Sequence, residues 1–231
     1  TAALRGFHME MNEGGRVTDV YSELAAKAAA DVQQIAYAMS KTASIASSAG
    51  MEFETTSAFL TQMIETTQEA PENIGTAMKT IIARFTELKE NVAGTVDSEF
   101  DDLDYNKVDT ALKSVGVSLK DTNGQFRDLD DVFLELSEKW NTVDRNSQRY
   151  IATIAAGSRQ QSRFIAMMEN YDRTIELVNT AYDSAGRASE QFAKYQDTVE
   201  YKLNQLQNTW EQFRTRFFNS DFFKDIIDGL N

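Results

Sequence analysis

The stretch that decides the fold runs from Lys107 to Tyr171: KVDTALKSVGVSLKDTNGQFRDLDDVFLELSEKWNTVDRNSQRYIATIAAGSRQQSRFIAMMENY. Apolar residues at helical spacing predict a helix over 107–114, and Gly116 follows where that helix would end. Alternating apolar and polar residues then flank a turn at Asp121–Gly124, and Phe126 lies on its far side. This pattern predicts a small β-hairpin that is too short to be stable alone.

The second half of the stretch is helical in pattern. Asp128 precedes an apolar stripe at helical spacing that reaches Trp140, and it is placed to cap that helix. Asp144 or Asn146 can cap the next helix, which Gly157 interrupts. The whole stretch therefore predicts a compact helical lobe with a hairpin tip, and no group in it has the setting of a reaction centre.

The order of these segments resembles the core region of the tail tape measure proteins of tailed phages. The upstream run FLTQMIETTQEAPENIGTAMKTIIARF, from Phe59 to Phe85, is also similar to that family. Two long motifs in the right order make the resemblance specific, and it extends over roughly 17–217. It implies a structural virion protein that sets tail-tube length during assembly and takes part in DNA ejection through the host envelope.

The same resemblance implies partners and locations. The protein is expected to associate with itself as a trimer or hexamer, and to contact tail tube proteins, tail tip or baseplate proteins and tail assembly chaperones. It would lie in the tail tube lumen or tail tip of the virion, in the host cytoplasm during assembly and at the host cell envelope on ejection. The sequence starts without Met in mid-pattern, so we expect a piece of a longer protein, whose other segments would make any contact with the host membrane.

Composition narrows the function classes. The 231 residues are 42% hydrophobic, enough for a buried core, and one proline and eleven glycines leave long uninterrupted segments that favour helices. A net charge of −13 repels phosphates, so no sequence-specific nucleic-acid binding is expected. The absence of cysteine excludes disulfides and thiol catalysis. No apolar run approaches the length of a membrane span.

The predicted fold class is all-α: helical hairpins or a bundle, one small β-hairpin projection and a long C-terminal helix like that of a coiled coil. Four segments are predicted along the chain. They are N-terminal helical hairpins over 1–94, an acidic linker over 95–106, the central lobe over 107–185, and the long helix with a short terminal helix over 187–231.

The N-terminal segment gives further predictions. A first helix over 1–13 is expected to end at Gly14–Gly15, and Asp31 can cap a later helix rich in Ala and Ser, whose small side chains allow close helix packing. Another helix is expected over Thr55–Gln68, with its first hydroxyls as caps. Pro71 fits the first turn of the helix that follows.

The C-terminal segment has the longest regular pattern. Its apolar residues recur every three or four positions, which is close to a heptad repeat with one four-residue insertion. We expect one helix of about thirty residues, roughly 45 Å long. The stripe could pack on the protein's own core, or it could join copies of the chain. The residues assigned to self-association are Phe192, Val199, Leu203, Leu206, Trp210, Phe213 and Phe217.

No residue is assigned to catalysis, to a cofactor or to a metal. His8, the single histidine, is interpreted as a surface or packed residue because no ligand or nucleophile clusters near it. The acidic run Asp97–Asp104 lacks the glycine and terminal glutamate of a calcium loop and is interpreted as a solvated linker. Asp121–Gly124 is interpreted as a turn. No phosphate loop, HExxH, GxSxG or CxxC sequence occurs.

A local basic cluster contains Arg149, Arg159 and Arg163. It is expected to pair within the lobe, although contact with an acidic partner surface is the alternative. The carboxylates considered for this pairing are Asp128, Asp130, Asp131 and Glu135. Three other functions stay open: a peptidoglycan hydrolase module, a membrane-channel-forming ejection module, and the same protein in a phage-tail-like bacteriocin.

Overall fold

The computed structural model describes residues 2–91 and 105–188, which form helices and short connections without a β-strand. The all-α class is confirmed for these residues. The helices are α1 (Ala2–Gly6), α2 (Gly14–Lys27), α3 (Val32–Ser48), α4 (Phe53–Thr67), α5 (Pro71–Asn91), α6 (Tyr105–Ser114), α7 (Leu129–Trp140), α8 (Arg145–Glu169) and α9 (Tyr171–Tyr182), with a short 3-10 turn at Met11–Glu13.

Residues up to Ala188 form one compact unit, built around α4. Every residue from Phe53 to Ile64 on α4 is buried. The helices α2, α3, α5, α8 and α9 all pack against it. Helices from both sides of the predicted linker therefore share one core.

The sequence predicts that hydroxyl groups cap α4, but this prediction is wrong. The helix begins at Phe53, and Thr56, Ser57 and Thr61 lie inside it. Each of these hydroxyls donates to the carbonyl oxygen four residues earlier at 2.8 Å. Because this bond satisfies the hydroxyl within its own helix, a buried helix face can carry Ser and Thr without an external partner.

Helices α3 and α5 pack closely against each other. A Cβ atom on Gly75 would lie 2.6 Å from the carbonyl oxygen of Ala38, so the position has no room for a side chain. The buried hydroxyl of Thr42 donates to the carbonyl of Gly75 across the same contact, at 3.2 Å. The prediction that small residues allow close packing here is confirmed.

The N-terminal helix boundary predicted at Gly14–Gly15 is wrong. The first helix ends at Gly6, and His8 follows in a left-handed conformation with φ of 55°. Gly14 and Gly15 instead begin α2. The side chain of Glu13 accepts the N–H of Glu10 at 2.8 Å, which closes the preceding turn and leaves the two glycines free to continue as helix.

The predicted turn at Asp121–Gly124 is confirmed, but the β-hairpin is not confirmed as a pair of strands. The Asp121 carboxylate accepts the N–H groups of Asn123 and Gln125 at 2.9 and 2.8 Å. The flanking segments make a single antiparallel bridge, between Lys120 and Phe126. Because Val117 and Leu119 are buried, this segment packs onto the helices.

Helix α8 has the predicted cap and break. Asp144 accepts the N–H of Asn146 at 3.0 Å and that of Ser147 at 3.2 Å. Gly157 has φ of 72° and ψ of 161°, a conformation that favours glycine and interrupts the helix. The buried Arg84 donates to the carbonyl of Ile154 at 3.1 Å, which satisfies an acceptor beside the break.

The helical segment from Phe164 to Ala181 is divided between α8 and α9 in the structure. Asn170, with φ of −117° and ψ of 52°, separates α8 from α9. The break allows α9 to pack against α2 and α4, with Thr174 fully buried. At the end of α9 the carboxylate of Asp19 accepts the N–H groups of Gly186 and Ala188, each at 2.8 Å.

Candidate functional site

A buried polar cluster lies where α4 begins. The N–H of Glu52 donates to the carboxylate of Asp130 on α7 at 3.1 Å. The N–H of Leu129 donates to the carbonyl of Ala49 at 3.3 Å. These two bonds join the start of α7 to the loop between α3 and α4, and they satisfy groups that would otherwise be buried without a partner.

Burial changes the titration of this cluster. It raises the pKa of the Asp130 carboxyl group, because desolvation disfavours the charged form more than the hydrogen bonds from Glu52 and Asp131 favour it. Burial likewise raises the pKa of the phenol groups of Tyr21 and Tyr182. The phenol oxygen of Tyr182 lies 3.5 Å from the hydroxyl oxygen of Thr55 on α4.

An ion pair at the same end of α4 joins it to α2. The Glu54 side chain is 3% exposed, and its carboxylate accepts from Nε of Arg16 at 2.6 Å. The hydrogen bond with Glu54 raises the pKa of the Arg16 guanidinium. This ion pair links the two helices, and removal of Arg16 would leave the buried Glu54 carboxylate without its described partner.

Two arginines connect helices at the other end of α4. Arg173 on α9 donates to Glu65 at 2.9 Å and to the carbonyl of Lys27 at 2.6 Å. Arg163 on α8 donates from Nε to Glu69 at 3.0 Å. The prediction that Arg163 pairs with the carboxylates of the lobe is therefore wrong.

The carboxylate of Glu135 was predicted as a partner of this basic cluster, but it has other partners. It accepts from Arg127 at 2.5 Å and from Lys139 at 2.6 Å. The hydrogen bond from Lys139, with that from Arg127, lowers the pKa of Glu135. Lys139 lies on α7 with Glu135, and Arg127 lies just before α7. Both cations are therefore nearer to Glu135 along the chain than the arginines of α8 are.

The other arginines of α8 are exposed. Within the described part of the chain, no side-chain hydrogen bond or ion pair involves Arg145, Arg149 or Arg159. The side chain of Gln161 donates to the carbonyl of Arg149 at 3.2 Å, so the helix segments before and after Gly157 lie against each other here. The predicted pairing within the lobe is wrong for Arg149 and Arg159 also.

The remaining predicted positions add no reactive site. His8 is exposed in the turn after α1. Over 2–91 and 105–188, no three His, Cys, Asp or Glu residues are grouped so as to hold a metal ion. No helix in those ranges is both long and apolar enough to cross a membrane. The acidic run Asp97–Asp104 and the seam from Phe192 to Phe217 lie outside the described residues.

Comparison with known sequences identifies the family of the chain. The profile of the family described as "Phage-related minor tail protein" matches residues 1–157. The chain belongs to this family. Membership makes it a component of the phage tail and points to a structural, non-enzymatic role.

A curated relative gives a more specific similarity. The chain is 23% identical to the tape measure protein of Pneumococcus phage Dp-1 over 212 residues, which is 91% of this chain. The chain spans only 17% of the length of that relative. No solved structure matches. The resemblance to tape measure proteins is therefore confirmed by sequence comparison, and the family profile covers α1 to α7 with the first part of α8.

Proposed function

We propose that this tail protein is part of a tape measure: the parent protein sets the length of the tail tube during assembly and takes part in DNA ejection. The observation that carries the proposal is the similarity to the Dp-1 tape measure protein along 91% of the chain. Such a role is mechanical, because it depends on the length and packing of the protein and requires no bond chemistry.

The interior of the described unit supports a mechanical role. Its buried charges are held in pairs that join helices, such as Arg16 with Glu54, and its buried carboxylate Asp130 caps a neighbouring helix. Its buried hydroxyls bond their own helix backbone, as in Thr56. Groups held in this way stabilise the shape of the unit.

The compactness of the unit indicates which part of such a tape measure it forms. A compact domain of this size is roughly 40 Å across. The same residues in one extended helix would span about 280 Å. We therefore propose that residues 1–188 form a folded body at one end of the tail, near the tip or baseplate, while segments outside this chain provide most of the measured length.

The partners follow from this position. We propose that several copies associate in the tail, that the folded body contacts tail tip or baseplate proteins, and that the tube protein assembles around the extended parts. Assembly chaperones would keep the protein soluble in the host cytoplasm, and the protein would leave the tail ahead of the DNA.

Two in-frame deletions in the parent gene test the proposal. One removes 1–188, and the other removes an equal number of residues from a predicted long helix elsewhere in the gene. Electron microscopy then gives the tail length of each mutant phage. We expect shortening of about 1.5 Å per residue for the helix deletion, and at most about 40 Å for the folded body.

The control for these deletions is a silent recoding of the same region, which should leave tail length unchanged. An unchanged tail length after the helix deletion would contradict the length-setting role. A loss of about 280 Å with the deletion of 1–188 would contradict the folded body and require an extended helix in the tail.

A further inference from the structure

The region from Arg145 to Met168 is basic within an acidic chain. It contains four arginines and no carboxylate, although the whole chain has a net charge of −13. Arg163 is the one of the four with a described ion pair, which it makes to Glu69. The other three are exposed and have no such pair among the residues that the structure describes.

The positions of these arginines are unfavourable for helix stability. Arg145 is the first residue of α8, where the positive end of the helix dipole repels a cation. Arg149 lies one turn further, and like charges at this spacing repel each other. Asp144 directly precedes Arg145 and caps the helix, but neither Arg145 nor Arg149 makes an ion pair with a carboxylate among the described residues. Local features that oppose stability are typical of functional surfaces.

The same surface also exposes an aromatic ring. Tyr150 is 54% exposed and lies next to Arg149, while Asn146 lies one turn before it on the same exposed side of α8. The bond from Gln161 to the carbonyl of Arg149 holds the second segment of α8, which carries Arg159, against the first. We give these exposed residues from the two segments of α8 one name, the α8 basic face: Arg145, Asn146, Arg149, Tyr150 and Arg159.

We propose that the α8 basic face is a docking surface for an acidic, carboxylate-rich segment of a partner protein. Arginine and tyrosine are the side chains that most often dominate protein interfaces, and a guanidinium can bind a carboxylate through two parallel hydrogen bonds. A nucleic acid is disfavoured as the partner, because three free arginines cannot offset the repulsion of its phosphates by the rest of the chain. The surface does not depend on the length-setting role.

Binding of a probe peptide tests the proposal. The 231-residue chain is titrated into a fluorescein-labelled peptide rich in Glu and Asp, and fluorescence anisotropy gives the dissociation constant. The variant Arg145→Gln/Arg149→Gln/Arg159→Gln should bind at least about tenfold more weakly. Tyr150→Ala leaves the charge unchanged and should still weaken binding several-fold, as expected of a specific contact.

The matched control changes the net charge equally at exposed positions elsewhere: Arg5→Gln/Lys27→Gln/Lys79→Gln. This variant should bind the peptide within about twofold of the wild type. An equal loss in both triple variants would mean non-specific charge attraction and would overturn the proposal, as would the absence of binding by the wild type.

Two further outcomes would assign the surface to a different partner and so overturn the proposal. One is tighter binding of single-stranded DNA of equal charge through the same three arginines. The other is a wild-type chain that forms oligomers in sedimentation velocity and becomes monomeric in the α8 triple variant, because the occupant would then be a second copy.

Discussion

Asp130 on α7 accepts the backbone N–H of Glu52 at the start of α4, with 3.1 Å between the two atoms. The residues are 78 positions apart in the sequence. The second oxygen of the same carboxylate accepts the N–H of Asp131 at 2.9 Å. One side chain thus fixes the first turn of its own helix and the first turn of the central helix, which ties the lobe to the N-terminal helices.

Truncation of Asp130 should destabilise the protein. The variant Asp130→Ala leaves the N–H of Glu52 without its acceptor in a partly buried site, which costs about 1–3 kcal/mol. Asp130→Asn keeps an acceptor oxygen and should cost much less. Urea denaturation at pH 7 measures both. Equal stability of the alanine variant and the wild type would contradict the capping role.

The pH dependence of stability should reveal the buried carboxyl group. Because the pKa of Asp130 is raised in the folded state, folding favours its protonated form. The wild type should therefore gain stability relative to Asp130→Asn as the pH falls from 7 to below about 4. Asp131→Asn, at an exposed neighbouring position, controls for the general loss of one charge. A difference that does not change with pH would contradict the prediction.

The sequence predicted several features that depend on neighbours along the chain. Asp31 caps α3 together with Gln34 three residues later, and Asp144 caps α8 by accepting the N–H groups of Asn146 and Ser147. Pro71 begins α5, and Gly157 interrupts α8. Each of these signals needs only a few consecutive residues, because capping and chain reversal are local interactions.

Other features, which join distant residues, were missed by the sequence. Arg163 pairs with Glu69, 94 positions away, and Asp19 accepts from Gly186, 167 positions away. The sequence analysis considered only carboxylates of the central lobe as partners of Arg163, because these are nearer to it along the chain. The exposed arginines of α8 were found as a cluster, but whether they pair depends on the tertiary arrangement. That arrangement left them without partners in the described residues.

The packing of α3 on α5 predicts opposite effects of one substitution at two sites. In an open helix position, Gly→Ala stabilises by about 0.5–1 kcal/mol. Gly15→Ala should follow this rule, because nothing lies within 4 Å of the added carbon. Gly75→Ala should instead destabilise by about 1–3 kcal/mol, since the new Cβ would lie 2.6 Å from the Ala38 oxygen. Urea denaturation of both variants measures the two effects, and stabilisation by Gly75→Ala would contradict the close contact.

The contacts of Arg173 predict a large loss on its removal. Arg173→Ala breaks the hydrogen bonds to Glu65 and to the carbonyl of Lys27 and should cost about 1.5–3 kcal/mol. Arg173→Lys keeps the charge but cannot bond both groups in this geometry, so it should recover only part of the loss. The exposed Arg159→Ala is the control and should change stability by less than about 0.5 kcal/mol. Thermal denaturation compares the three, and equal values would contradict the role of Arg173 as a link between α2, α4 and α9.

The apolar seam of the C-terminal segment lies outside the described residues, so self-association through it stays a prediction. The molecular mass of the protein in solution tests it. One chain has a mass of 26.0 kDa, so light scattering separates a monomer from a trimer or hexamer. Because a charge in a helix seam is costly to bury, Leu203→Glu/Leu206→Glu should convert an oligomer into monomers.

A control for the seam places one negative charge at a polar position of the same segment. Gln205→Glu lies between the two substituted leucines in the sequence but outside the heptad pattern, so it should leave the mass unchanged. If the double variant keeps the mass of the wild-type oligomer, copies of the chain associate through another surface. If the wild type is already a monomer at high concentration, the seam packs on its own chain and the assignment from Phe192 to Phe217 is wrong.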